Sequence, residues 1–384
     1  MMFPQGRTLF LWGVLLTGGV FSKDALPQKT KIAFLFSGSG SDSLLEKELG
    51  RGVEVFKKNR SGNSSSLQIT PFNIHGSIQG TLAELSKVKE QDYRFVIGLR
   101  NDEQALTASH FAEENGLLFV TPVSVFSKVT QGKKNSFSIS ADEILYGAAL
   151  AKYAVEELDR KKILVLLNQR SVFSQSFSES FQKGLKRYKG IELAEHRSSG
   201  RELNLESLKV QISRFKPDLV FISDDISNSA ILAKYIHRID PMIPFLAGAP
   251  FGSESAMRIL LKEVPKMRVF YSALWNDAES NVQNETFKNT YLELFPGGTP
   301  SAEAALTYDA LCVLVQAIQT AGGGNSIDRV RYFLEKLKFT TTQGEINFHD
   351  GPTHAPIRPV HIKVSNVKKN KWVKTLRTKW NLKP

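Results

Sequence analysis

Apolar and polar positions alternate along this chain with two periods. Short runs of four to seven β-branched or aromatic residues recur, each followed by a longer stretch with apolar residues every third or fourth position. Lys31 to Phe36 (KIAFLF) is the first run and Ser66 to Pro71 (SLQITP) the second. Phe95 to Ile97, Leu117 to Val120, Lys162 to Leu167, Asp218 to Ser223, Pro244 to Ala247 and Arg268 to Ala273 follow. Runs this short and apolar suit strands covered on both faces in a parallel sheet. Between them, helical spacing predicts helices around Val53 to Phe56, over Gly80 to Lys89, and over Ile144 to Leu158. Further helices are predicted over Phe173 to Lys189, Leu205 to Phe215 and Ile226 to His237, then Asn284 to Phe295, Ser301 to Ala321 and Ser326 to Leu337. EINF and the alternation beginning at PVHIKV read as antiparallel strands, continuing toward KKNKWV.

The stretch from Arg94 to Val125 holds one complete βαβ unit. Gly98 ends its first strand. Asn101 then caps a helix, with Gln104 in capping-box spacing and Asp102 and Glu103 at the positive end of the helix dipole. Gly116 stops the helix, and Pro122 closes the second strand. Repeated through the chain, this alternation predicts an α/β protein of two doubly wound parallel-sheet lobes. In such sheets a ligand lies beyond the carboxyl ends of the strands. Here those ends carry small polar residues: Asn101 and Asp102 after one strand, Thr121 and Ser124 after the next.

The 384 residues are ample for two cores. Residues 1 to 22 read as a cleavable secretory signal: Arg7 supplies the positive start, Leu9 to Phe21 the apolar stretch, and Val20-Phe21-Ser22 the cleavage site. This places the mature chain in the periplasm or outside the cell. The single cysteine, Cys312, lies on an apolar helix face and reads as a packed thiol. The net charge of +12 is concentrated at one end: from Lys363 onward there are eight Lys or Arg and no Asp or Glu. That tail is open to two readings, a solvated surface or contact with an anionic surface, while the body is nearly neutral and carries no nucleic-acid recognition motif.

Few residues point to chemistry. SGSGSD is Gly-rich but lacks the Lys of a phosphate loop, so it reads as a turn. His349 and His354 match no common zinc spacing. No nucleophile, base and acid stand in a known catalytic motif. Asp224 and Asp225 can cap the helix after them. The chain therefore reads as a non-enzyme with no metal and no cofactor.

Several stretches carry a resemblance. IAFLFSGSGS, GRGVEVF and FVIGL are followed by FAEENGLLFVTPVS, KKILVLLNQRSVFSQSFSESFQKGL and FKPDLVFISDD. TPSAEAALTYDALCVLVQAIQTAGG and RVRYFLEKLKF complete the series. In this order and spacing, over nearly the whole chain, they resemble the type I periplasmic solute-binding proteins. The branch resembled is that of the branched-chain amino-acid-binding receptors of ABC transporters.

The resemblance implies two lobes joined by a three-strand hinge: 30–142 plus 276–342, and 143–275 plus 343–384. The crossings are expected near Ser140 to Glu143, Ser272 to Asn276 and Thr341 to Gly344, with closure about them. It implies a small polar ligand, amino-acid-like or amide-like, bound between the lobes by Ser37, Ser39, Asn101, Asp102, Ser124, Phe173, Asp224, Phe251 and Trp275. Phe173, Phe251 and Trp275 are candidate lids; Trp275 can equally be hinge packing. The expected partner is a membrane permease or envelope receptor. The alternative is a ligand sensor or envelope scaffold on the same fold.

The departures are also informative. The amino-acid binders carry hydroxyls where this chain has Asn101, Asp102 and Val125, a Tyr at Phe173, and an acid at Ala249. The familiar grip on an α-amino acid is largely missing. Asp102, Asp224 or Asp225 can serve a ligand cation, and Arg100 or Arg170 an anion.

Overall fold

The computed structural model describes residues 30–38, 43–60, 67–199, 202–248, 251–263 and 267–365. The segment read as a signal, Ser39, Ala249 and the strand expected at KKNKWV lie outside these residues.

The first sheet is built from β1 (Thr30–Phe36), β2 (Leu67–Asn73), β3 (Phe95–Gly98), β4 (Leu118–Thr121) and β5 (Ser136–Ser138), in the order β2-β1-β3-β4-β5 and all parallel. α1 (Ser43–Asn59), α2 (Ile78–Glu90) and α3 (Asp102–Asn115) are its crossovers. Parallel strands need such helical returns, and strands covered on both faces carry runs like Phe95-Val96-Ile97, each at most 1 % exposed.

The second sheet uses β6 (Lys162–Asn168), β7 (Glu192–Ser198), β8 (Leu219–Ile222), β9 (Phe245–Ala247), β10 (Val269–Ala273) and β13 (His361–Ser365), in the order β13-β10-β9-β8-β6-β7. All are parallel except β13, which pairs antiparallel with β10. Its helices are α4 (Glu143–Lys152), α5 (Val172–Leu185), α6 (Leu205–Phe215), α7 (Ile226–Ile239) and α8 (Glu254–Glu263).

After β10 the chain returns to the first lobe. α9 (Val282–Leu294) and α10 (Ala302–Thr320) pack on α1, and α11 (Ile327–Lys336) packs on α10. α10 is apolar on nearly all sides and buried along most of its length, as a helix covered from every direction must be. Cys312 sits on it, and burial pushes its thiol up to about 12, far from a reactive thiolate.

The sequence predicts one helix over Ile144 to Leu158. Instead α4 ends at Lys152, and a single π-helical turn covers Tyr153–Glu157. The third crossing also lies elsewhere. Thr341 to Gly344 is the turn of a small hairpin, β11 (Phe339–Thr341) with β12 (Gly344–Ile346), held against α10. The chain then stays beside the first sheet: the Ser138 N–H donates to the His354 carbonyl (2.9 Å), and the His354 ring stacks on Phe137 at 4.4 Å. It reaches the second sheet only at β13.

The crossings are tied together. Thr353 donates to the Asp142 carboxylate (3.2 Å), and Arg358 donates to the Leu274 carbonyl (3.5 Å). One close approach sets α5 against the end of β9. Gly248, just after β9, lies so near Phe177 of α5 that a Cβ there would fall 1.6 Å from Cε1.

Candidate functional site

A cavity of about 480 Å³ opens between the carboxyl ends of the two sheets. Strand ends and helix starts from both lobes line it.

On the first lobe, Gly98 (φ 127°) and Leu99 (φ 67°) both adopt positive φ. A side chain at 98 would meet the Leu35 carbonyl at 2.1 Å, so only glycine fits. A left-handed Leu is costly, and such strain persists where the surroundings enforce it. The double bend turns the chain off β3 and delivers Arg100, Asn101 and Asp102 to the cavity wall. Asn101 caps α3, its Oδ1 accepting from the Glu103 and Gln104 N–H groups.

Asp102 accepts from the Ser124 hydroxyl and from the Val125 N–H (3.2 Å), both at Oδ1. Burial raises its pKa to about 6 against these bonds and the nearby Arg100. Arg100 is committed: its Nε stands 3.5 Å from Glu303 of α10, whose side chain is wholly buried.

On the second lobe, α5 and α7 begin at the cavity, capped by Ser171 and Asp225. Asp224 is 1 % exposed. It accepts from the Asp225 N–H (2.8 Å) and the Ser198 hydroxyl (3.2 Å). Burial and the adjacent Asp225 charge raise its pKa to about 6. Arg170 is exposed at the rim.

Phe173 is the aromatic wall. It meets Phe126 of the first lobe edge to face at 5.9 Å and stacks on Phe177 at 5.7 Å.

Of the residues named from the sequence, Asn101, Asp102, Phe173 and Asp224 line the cavity. Ser124, 1 % exposed, stands behind Asp102. Ser37 is turned inward, its N–H donating to Glu46 (3.1 Å). Phe251 is fully buried in the second core, away from the cavity lining. Trp275 is 6 % exposed, donates from Nε1 to Asn284 (3.2 Å) and packs edge-on against Phe287. Its surroundings are those of packing beside the second crossing, outside the cavity lining. Ser223 and Leu274 line the cavity without having been singled out. Only their places at strand ends signalled it.

At the first crossing Glu143 is fully buried. It accepts from the Ser127 N–H and hydroxyl, in the first lobe, and from the Ser176 hydroxyl, in the second. Sequence reasoning missed it, because an acid in the first turn of a helix reads as ordinary dipole pairing.

Among the described residues no group of three or more His, Cys, Asp or Glu is placed to hold a metal ion, and no helix is long and apolar enough to cross a membrane.

The family model described as periplasmic binding protein matches residues 29–370. The chain belongs to this family. Its two sheets, three crossings and interlobe cavity are those of the type I class. Among curated proteins, the Leu/Ile/Val-binding protein homolog 1 of Brucella suis biovar 1 (strain 1330) is 20 % identical over 327 residues, 81 % of this chain and 84 % of the relative. The Leu/Ile/Val-binding protein of Escherichia coli (strain K12) is 23 % identical over 188 residues, covering 48 % of this chain and 50 % of the relative.

Among solved structures, the leucine binding protein LivK of Thermotoga maritima MSB8 superposes with a TM-score of 0.81 at 20 % identity, covering 91 % of this chain and 99 % of its own. A solute binding protein of an ABC transporter from R. palustris, solved in complex with benzoate, gives 0.77 at 16 % identity, covering 92 % and 96 %. At these identities the structural likeness speaks for the fold. This periplasmic binding protein thus has the frame of its relatives.

Proposed function

We propose that this periplasmic binding protein is exported and captures a small polar ligand between its lobes, delivering it to an ABC-type membrane transporter. The observation that carries the reading is the cavity itself. It lies where doubly wound sheets bind ligands, it is walled by both lobes, and polar side chains at helix starts dominate its lining. A ligand touching both walls favours the closed state by its differential affinity for it. Asn101, Asp102, Phe173 and Asp224 make contact in this reading, with Ser124 supporting Asp102. The apolar stretch Leu9 to Phe21 behind Arg7 supports export.

The test is a thermal-shift screen of the chain from residue 23 onward against amino acids, amides, aromatic acids, amines and sugars, followed by small-angle scattering with any hit. A ligand at a hundred times its Kd adds about 2.7 kcal/mol, a shift of several degrees. The expected result is a saturable hit that also compacts the protein. A cooperative melt that no compound moves would sink the reading and favour a scaffold role on the same fold.

A further inference from the structure

Charge balance at the cleft is uneven. Asp102, Glu103, Asp224 and Asp225 line it, against Arg100 and Arg170. Arg100 is already shared with the buried Glu303, and Arg170 stands at the exposed rim. Asp224 is almost completely buried, has a second carboxylate as its neighbour, and is held by hydroxyl and N–H donors.

Three helices, α3, α5 and α7, start at this cavity. Helix starts ordinarily draw an anion, through free N–H groups and the positive end of the dipole. Here two of the three starts already hold a carboxylate of the chain. Asp102 and Glu103 occupy the first turn of α3, and Asp225 caps α7 through the Asn228 N–H. A ligand carboxylate at either start would meet a like charge. Only the start of α5, capped by Ser171 beside Arg170, holds no carboxylate of its own.

Resting on the reading of this cavity as the ligand site, we propose that its ligand is a small organic cation, an amine, amidine or guanidine, held between Asp102 of one lobe and Asp224 of the other. A charged nitrogen with several N–H donors adds the counter-charge that the neutral hydroxyl and amide donors do not supply, and pairing offsets the cost of keeping the carboxylates buried. Closing the lobes over the cation brings opposite charge to both walls at once. A purely anionic ligand finds only the α5 start and Arg170. An apolar amino acid finds a carboxylate for its ammonium group, but its own carboxylate finds only the α5 start and the exposed Arg170.

The experiment is isothermal titration of the purified protein with agmatine, arginine, citrulline, isoleucine and benzoate, in the wild type and in Asp102→Asn and Asp224→Asn. Citrulline is the net-neutral isostere of arginine: it keeps the α-ammonium and carboxylate, replaces the guanidinium with a neutral ureido group, and so isolates the side-chain cation. Agmatine and arginine are expected to bind, citrulline at least tenfold more weakly than arginine, and each variant at least tenfold more weakly than wild type. Melting curves confirm that the variants fold, and either one alone suffices. Citrulline binding as tightly as arginine, folded variants of undiminished affinity, or binding of isoleucine or benzoate without agmatine or arginine would overturn the cation while leaving a ligand-binding cleft intact. No heat from any of the five overturns the cation, and no response across the wider screen as well overturns the binding reading with it.

Discussion

Glu143 takes both the N–H and the hydroxyl of Ser127, at 2.6 and 2.8 Å, across the first crossing between the lobes. The same carboxylate accepts from Ser176 at 2.7 Å, and its own N–H donates to the Val125 carbonyl at 2.7 Å. One buried group therefore sets how the first lobe leaves its sheet and how the second begins.

Replacing Glu143 with Ala strands three donors at a buried crossing. Each stranded group costs about 1–3 kcal/mol, less whatever water recovers. We expect Glu143→Ala to lower unfolding stability by roughly 3 kcal/mol, and Glu143→Gln, which keeps one acceptor oxygen, by less. Urea unfolding followed by circular dichroism measures both; an unchanged midpoint for the Ala variant would remove Glu143 from the hinge.

The ligand-free protein should be more stable in mild acid than at neutral pH. Asp102, Glu143 and Asp224 all have pKa values raised to about 6, mainly by burial. Between the unfolded carboxyl range near 4 and that value, the folded chain binds more protons than the unfolded one, so stability falls as pH rises. Glu143 alone contributes about 2 kcal/mol. Melting temperatures from pH 5 to pH 8 should decline, and flat or rising values would contradict the burial of these groups. A bound cation would flatten the decline by stabilising the charged forms of Asp102 and Asp224.

Trp275 separates two roles cleanly. Its indole N–H is paired with Asn284 in the hinge. Trp275→Phe leaves that amide oxygen without its donor, a loss of about 1–3 kcal/mol in stability. Affinity for any ligand found in the screen should stay within about twofold, since the side chain is outside the cavity lining. A tenfold loss of affinity at unchanged stability would restore it as a lid.

Phe173→Ala should do the opposite mixture. It removes the edge-to-face contact with Phe126 and the stack on Phe177, so it costs about 3–5 kcal/mol. It also opens one cavity wall and should weaken ligand capture. Titration and melting together would show both effects; a loss of stability alone would mark Phe173 as packing.

The sequence disclosed the strands with apolar runs and the helices with clear stripes, because each buries a face that only apolar residues can occupy. It was silent on β5, β7 and α8. β5 is three residues long. β7 is an edge strand whose Glu192, Leu193 and Arg197 face solvent, so its alternation is blurred. The four expected contact residues that reach the cavity, Asn101, Asp102, Phe173 and Asp224, stand directly at strand ends or helix starts, where position along the chain sets exposure to the cleft. Trp275 and Phe251 also stand near strand ends, but their large apolar side chains turn inward, and no local pattern records which way a side chain turns. Glu143 was invisible for a related reason. Its partners, Ser127 and Ser176, come together only once both lobes have formed.

Gly248 and Phe177 impose a rule on descent. With a Cβ at 248 only 1.6 Å from the ring, a side chain there forces the ring or the backbone to move. Losing the glycine is easiest where the ring is smaller, and the ring underlies Phe173 at the cleft. The two positions are therefore sterically linked. Among descendants of this chain, variation in what the cleft accepts at its aromatic wall should travel with variation at a glycine that never touches the ligand.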